Sequence, residues 1–213
     1  NVLHSLKTVG QQLIYAKNDK SLFRDAEKEI TYCERNSIQV LSISNDNYPR
    51  RLKQCSDAPI ILYYKGNGVL NNPKVISIVG TRAATSYGKE ICNSIVEELS
   101  AHNALIISGL AYGIDVQAHN ASLNNNLPTV GVLAHGLDRM YPSEHSPIAN
   151  KMMEEGGLLS ENRIGTNPNR ENFPKRNRIV AGLSDATIVI ESAIRGGSMI
   201  TANIANNYNR DVF

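Results

Sequence analysis

Apolar residues recur along this chain in two different patterns. Up to about residue 35 they lie at helical spacing, which predicts two or three short helices. From residue 74 onward, short continuous apolar runs such as Val75–Val79 alternate with segments of helical periodicity such as the one from Tyr87 to Ser100. Continuous runs are typical of strands buried on both faces, and strands that alternate with helices form a parallel sheet through βαβ crossovers. The pattern therefore predicts an α/β fold.

Clusters of glycine, proline and asparagine set the ends of the predicted elements. We predict strands at 38–43, 60–64, 75–79, 105–107, 129–133, 158–159 and 186–190, with a further strand beginning at 211. Helices are predicted at 49–55, 87–100, 113–123, 147–155, 176–183 and 197–208. We divide the chain into a small helical N-terminal module, 1–36, and a larger domain, 37–213, whose C-terminal end we expect to be truncated.

Composition narrows the functional classes. The 213 residues carry a net charge of +2 and are 41% hydrophobic, so any nucleic-acid binding must come from the local placement of charge. The three cysteines show no paired spacing, which argues against disulfides or a structural zinc site. No apolar run approaches the roughly 18–20 residues of a membrane span, and the first residues lack a signal-peptide core. We therefore expect a cytoplasmic protein with no membrane partner.

Catalytic and cofactor motifs are scarce. The five histidines show no metal-binding spacing, and neither a nucleophile motif nor a Walker lysine is present. His135 near Asp138 is the one acid–base candidate, although a surface histidine is the more frequent explanation. We expect no cofactor and no enzymatic activity. The alternative is a hydrolase of nucleoside monophosphates, which needs an activating carboxylate; Glu191 is compatible with that role.

Ligands of parallel sheets bind where strands end and helices begin, so the residues that follow each strand are the candidates. Gly80, Thr81 and Arg82 combine a tight turn, a hydroxyl and a guanidinium that matches phosphate. A simple turn with a solvated arginine explains them equally well. Ser108 and Gly109 end the next strand, and there turn geometry is the more frequent explanation.

The stretch from Arg163 to Arg178 is basic and contains an aromatic residue. Cations around an aromatic are typical of single-strand binders, although most charged runs are only solvated surfaces. The candidates in this stretch are Phe173, Lys175, Arg176, Asn177 and Arg178. Further candidates are Gly197 and Ser198 at a late helix start, Tyr141 as a second stacking residue, and Arg51 in a short cationic cluster.

Five segments in order resemble the DNA-processing protein A family, also called Smf. They are IVGTR at 78–82, SGLAYGID at 108–115, GLDRMYP at 136–142, FPKRNRIVAGLS at 173–184 and GSMITA at 197–202. The resemblance implies an extended Rossmann-like fold, with helices on both faces of a mostly parallel sheet. It also implies phosphate binding at Gly80, Thr81 and Arg82, extended by the basic segment that contains Lys175, Arg176 and Arg178.

The same resemblance implies a function. It indicates a homodimer that binds single-stranded DNA, protects incoming strands in natural transformation and loads RecA recombinase onto them. Many family members carry a C-terminal winged-helix-like domain, and this chain stops before it. Glu191–Ser192 and the segment 195–198 depart from the usual family pattern, which leaves the role of that loop open.

Overall fold

A computed structural model of the chain describes residues 20–213. Contacts divide the chain into two compact units, Asn1–Ser37 and Ile38–Phe213. In the first unit the structure describes one helix, α1 (Lys20–Arg35), within the region where the spacing predicts helices. The helices expected before residue 20 lie outside the described residues.

The second unit is built on one eight-stranded sheet. Its strands are β1 (Gln39–Ser42), β2 (Ile61–Gly66), β3 (Val75–Gly80), β4 (Leu105–Ser108), β5 (Thr129–Val132), β6 (Gly157–Ser160), β7 (Ala186–Ile190) and β8 (Asp211–Val212). The order across the sheet is β1-β2-β6-β5-β4-β3-β7-β8. The pairs β1–β2 and β2–β6 are antiparallel, and the other five pairs are parallel.

Helices cover both faces of this sheet. They are α2 (Arg50–Lys53), α3 (Ser86–Ser100), α4 (Ile114–Asn124), α5 (Ser146–Glu155), α6 (Asn172–Leu183) and α7 (Gly197–Asn207), with a 3₁₀ turn at Ser143–His145. Neighbouring residues of a strand point to opposite faces. Thus Ile107 packs in one cluster with Leu183 of α6, whereas Ile106 packs in another with Val96 of α3 and Ala118 of α4. The mostly parallel α/β fold is confirmed.

One predicted boundary is wrong by four residues. We expected a helix from Arg176, but α6 begins at Asn172 and includes Phe173 and Pro174. Proline fits there because the N–H groups of a first helical turn have no partner within the helix. Phe173 is therefore fixed on a helix rather than carried by a loop.

The strand order creates a crevice beside β3. From β3 the chain moves stepwise through β4, β5 and β6, and then crosses back to β7 on the other side of β3. Parallel sheets bind ligands at such a reversal, outside the carboxyl ends of the strands. The gap between the ends of β3 and β7 is therefore the expected position of a site.

Candidate nucleic-acid interface

A cavity of about 670 Å³ opens at this reversal. It lies at the carboxyl ends of β3 and β4 and at the beginnings of α6 and α7. Ten of the fourteen binding candidates line it: Gly80, Thr81, Arg82, Gly109, Tyr141, Phe173, Arg176, Asn177, Gly197 and Ser198. The structure thus brings together residues from five separate segments of the sequence.

Two of the predicted cations are engaged elsewhere. Arg51 forms two hydrogen bonds with Asp185, at 2.6 and 2.8 Å, and donates to two further backbone carbonyls. Arg178 contacts Glu161 and donates to the Asp57 carbonyl oxygen at 2.7 Å. Both guanidinium groups hold parts of the fold together, so we leave them out of the interface.

The last two candidates also lie outside the cavity lining. Ser108 is fully buried, and its hydroxyl donates to the carbonyl oxygen of Ile78 at 2.6 Å, which joins β4 to β3. Lys175 is exposed on α6 and lies near Glu161 rather than in the cavity. A single track of phosphate contacts from Arg82 to Arg178 is therefore not what the structure shows.

The turn after β3 offers fewer free amides than the sequence suggested. The N–H of Thr81 donates to the carbonyl oxygen of Glu191 at 2.8 Å, and the N–H of Thr85 donates to the Glu191 carboxylate at 2.9 Å. Thr85 in turn caps α3, since its hydroxyl oxygen accepts from the N–H of Gly88. The Thr85 hydroxyl also donates to the Glu191 carboxylate, and the bonds from the Thr85 hydroxyl and N–H lower the pKa of Glu191. The N-terminus of α3 is therefore already capped within the protein.

The beginning of α7 is different. Its N-cap residue is Gly196, and no side chain caps the helix. Gly197 is exposed, with open space where a side chain would stand, and Ser198 lines the cavity with its hydroxyl 2.6 Å from that of Ser192. Uncapped N–H groups and the positive end of the helix dipole attract anions. The start of α7 therefore presents to the cavity N–H groups that no side chain caps.

The same cavity has an aromatic and cationic wall, formed by Arg82, Tyr141 and Phe173. The guanidinium of Arg82 lies 5.4 Å from the ring centroid of Phe173, in cation–π geometry. The ring of Tyr141 lies 6.0 Å from that of Phe173, tilted by 60°. Arg170, which the sequence analysis did not select, also lines the cavity. This wall can stack one base of a nucleic-acid strand while Arg82 and Arg170 contact phosphates of the same strand.

The floor of the cavity consists of Gly109, Asp115 and Arg176. Arg176 is only 5% exposed, and its Nη1 donates to the carbonyl oxygen of Val132 at 2.7 Å. Burial raises the pKa of Asp115, and the nearby Arg176 guanidinium opposes that shift. Burial likewise lowers the pKa of Arg176, which Asp115 opposes. Each group favours the charged form of the other.

The acid–base candidates do not form a catalytic pair. His135 is buried, with its Nδ1 2.9 Å from the Gly136 carbonyl oxygen, whereas the Asp138 carboxylate binds Arg139 and accepts from the N–H of Gly165. Among the residues that line the cavity, Asp115 is the one carboxylate. The described residues contain no cluster of three or more metal-ligating side chains. The hydrolase alternative thus has no pair of carboxylates at this site.

Asp115 is a second cavity residue, besides Arg170, that sequence reasoning missed. An acid in the first turn of a helix such as α4 is usually explained by a favourable interaction with the helix dipole. The available signal was that Asp115 belongs to the segment 108–115, which also supplies Gly109. What the sequence could not show is that Arg176, about sixty positions later, would lie against the same glycine.

Comparisons with known proteins point in one direction. Residues 39–213 match the family described as DNA recombination-mediator protein A. DNA processing protein DprA of Bacillus subtilis (strain 168) is 37% identical over 213 residues, which cover 98% of this chain and 72% of that protein. Protein Smf of Synechocystis is 37% identical over 209 residues, which cover 95% of this chain and 51% of that protein.

Two solved structures are also similar. The X-ray structure of DNA processing protein A from Streptococcus pneumoniae matches with a TM-score of 0.80 and 36% identity, over 92% of this chain and 70% of that chain. The structure of DNA processing protein A from Helicobacter pylori, which describes its single-stranded DNA binding mode, matches with a TM-score of 0.75 and 30% identity, over 83% and 79%. The chain thus spans between half and three quarters of the length of the curated relatives it matches. In the described part of the chain, no helix is long and apolar enough to cross a membrane.

Proposed function

The chain belongs to the DNA recombination-mediator protein A family, and from that premise we propose that it binds single-stranded DNA in the cavity at the ends of β3 and β4. The observation that carries this proposal is the composition of the cavity. The uncapped start of α7, two arginines and the ring of Phe173 face one space. Phosphate is bound by the first two features, and an unpaired base stacks on the third.

The proposed contacts divide by chemistry. Backbone N–H groups at Gly197 and Ser198, together with Arg82 and Arg170, bind phosphate oxygens. Phe173 stacks a base, with Tyr141 beside it at the rim, where 48% of its surface is exposed. Support for single-stranded DNA as the ligand comes from the H. pylori relative, whose structure describes single-stranded DNA binding.

In the wider setting we propose that the protein protects incoming single strands in natural transformation and loads RecA recombinase onto them. It would act in the cytoplasm as a homodimer, without a cofactor or an enzymatic step of its own. A second subunit on the same strand raises the effective affinity. Light scattering at micromolar concentration tests the dimer, and the rate of RecA filament formation on a protein-coated strand tests the loading.

The binding claim is tested with Arg82→Ala. We expect this variant to bind oligothymidylate more weakly than the wild type, because a phosphate contact and the Phe173 stacking partner are lost. Each lost phosphate contact flattens the slope of log affinity against log salt by about 0.7. Fluorescence anisotropy at several salt concentrations measures both quantities. The matched control is Arg50→Ala, which removes an exposed arginine of α2 outside the cavity.

Two results would contradict the proposal. One is an Arg82→Ala protein with the affinity and salt slope of the wild type. The other is a wild type that binds duplex DNA as tightly as the single strand, since a paired base cannot reach Phe173.

A further inference from the structure

We propose that the floor of the cavity recognises one unstacked base by its Watson–Crick edge, and that guanine fits it best. This inference rests on the proposed function, because it assigns a role to the part of the cavity that the phosphate contacts leave unused. The residues that carry it are Gly109, Asp115 and Arg176.

The first observation is a gap between two opposite charges. A Cβ on Gly109 would clash with both Oδ2 of Asp115 and Nη1 of Arg176. Although both side chains are among the described residues, no hydrogen bond or ion pair joins them. The carboxylate and the guanidinium therefore lie side by side against Gly109, because the glycine has no side chain there, and all three residues line the cavity.

The second observation is that buried Arg176 and half-buried Asp115 both have unused hydrogen-bonding capacity. Nη1 of Arg176 donates to the Val132 carbonyl oxygen, but its Nε has no partner among the described residues. Asp115 accepts a long bond of 3.4 Å from the N–H of Ala111, and the nearby Ser108 hydroxyl gives its proton to Ile78. Buried charged groups with few partners cost free energy, which a ligand can offset.

The chemistry of the pair selects the ligand. A matching ligand needs a hydrogen-bond acceptor that faces Arg176 directly beside donors that face Asp115. Guanine offers the O6 acceptor next to the N1–H and N2–H₂ donors, so one carboxylate accepts from both donors while a guanidinium N–H donates to O6. Thymine presents a single donor between two acceptors, and adenine presents one of each. Cytosine presents one donor beside two acceptors, so the Asp115 carboxylate accepts from one donor group of cytosine but from two of guanine.

The rest of the cavity suits an inserted base. Phe173 supplies a face for stacking beside the floor, and guanine offers a large ring system to it. The edge that meets Asp115 and Arg176 is the edge that pairs in a duplex. Recognition of that edge therefore also explains selection of single strands over duplexes.

The test uses short oligothymidylates that differ at one central position. The central residue is thymine, guanine, 1-methylguanine or an abasic site, and each strand competes with a labelled oligothymidylate for the wild-type protein. We expect the guanine strand to compete on the order of 10-fold better than the thymine strand. The methyl group blocks N1–H, so 1-methylguanine should lose this advantage. The abasic strand should compete most weakly.

Two variants locate the effect. Asp115→Asn replaces one acceptor by a donor and should remove the difference between the guanine and thymine strands. Glu90→Gln, which changes an exposed acid on α3, should retain it. If the asparagine variant does not fold, as judged by circular dichroism, the wild-type series alone decides.

The outcomes distinguish recognition of the base edge from single-strand binding itself. Equal competition by all four strands overturns recognition of the base edge while single-strand binding stands. A guanine advantage that survives in 1-methylguanine, or in a folded Asp115→Asn protein, overturns the assignment to this floor. Failure of every strand to bind overturns the proposed function as well.

Discussion

Arg176 and Arg178 stand two positions apart on α6 and have different surroundings. Residues two positions apart in an α-helix are separated by about 200° around its axis, so their side chains point to roughly opposite sides. Arg176 points into the sheet and reaches the floor of the cavity, whereas Arg178 binds Glu161 and Asp57 on the other side. A charge run in a sequence therefore does not define a charged surface; the helical phase of each residue decides.

His119 gives a second residue-scale result, a prediction for stability. It is fully buried, with Nδ1 2.6 Å from the Thr129 hydroxyl and Nε2 2.5 Å from the Gly109 carbonyl oxygen. Burial lowers the pKa of His119 to about 4. Below about pH 6.5 the His119 imidazole takes up a proton in the unfolded chain but not in the folded protein. The free energy of unfolding therefore falls as pH drops from about 6.5 towards 4.

We expect this histidine to make the protein about 2 kcal/mol less stable at pH 5 than at pH 7. Urea denaturation at the two pH values measures the change, and His119→Gln serves as reference because it cannot titrate in this window. The difference between the two proteins isolates the histidine from the carboxylates. An equal loss of stability in both would show that His119 does not titrate as its burial requires.

At the scale of elements, the N-termini of α3 and α7 have different roles. The carboxylate of Glu191 accepts from the N–H of Thr85, and the hydroxyl of Thr85 caps α3. These bonds connect the N-terminus of α3 to the residue that follows β7. The N-terminus of α7 has no side-chain cap and faces the cavity. A helix N-terminus without a side-chain cap is less stable than a capped one, and its N–H groups are free to bind an anion.

This division predicts opposite changes in stability and binding for Gly197→Asp. A carboxylate at the first position of α7 interacts favourably with the helix dipole, by about 0.3–1 kcal/mol, but repels phosphate. We expect a higher melting temperature and weaker single-strand binding. The control is Gly197→Ala, which has open space for its methyl group and removes the flexibility of glycine without adding charge.

Calorimetry and anisotropy on the two variants give the result. The alanine protein should be stabilised and bind as the wild type does. An aspartate variant that binds single strands as tightly as the alanine variant would mean that phosphate does not approach α7.

Much of the element pattern could be predicted from the sequence. Continuous apolar runs located β3, β4 and β7; β3 and β4 are central parallel strands buried on both faces, and β7 is partly buried. The helix predicted from Arg176 begins at Asn172, because a first helical turn accepts a proline such as Pro174. The occupied amides after β3 were also missed, since their acceptor, Glu191, comes more than one hundred positions later.

At the scale of the whole molecule, the site results from strand order. Gly80, Gly109 and Gly197 are separated by long stretches of sequence and meet because β3 has β4 on one side and β7 on the other. Local patterns do not contain strand order, so the sequence supplied the parts of the site but not their arrangement. Ion pairs such as Arg51 with Asp185 depend on the same long-range arrangement and were equally invisible.

The central claim is that an unpaired strand lies in this cavity, against Phe173 and Tyr141. The most direct measurement is photocrosslinking of a 5-bromouracil oligonucleotide, with the modified residues identified by mass spectrometry. The account predicts adducts on Phe173 or Tyr141 and none on Tyr87, which is 69% exposed on α3 outside the cavity. Adducts on Tyr87 or other outer aromatic residues, with Phe173 and Tyr141 unmodified, would contradict it.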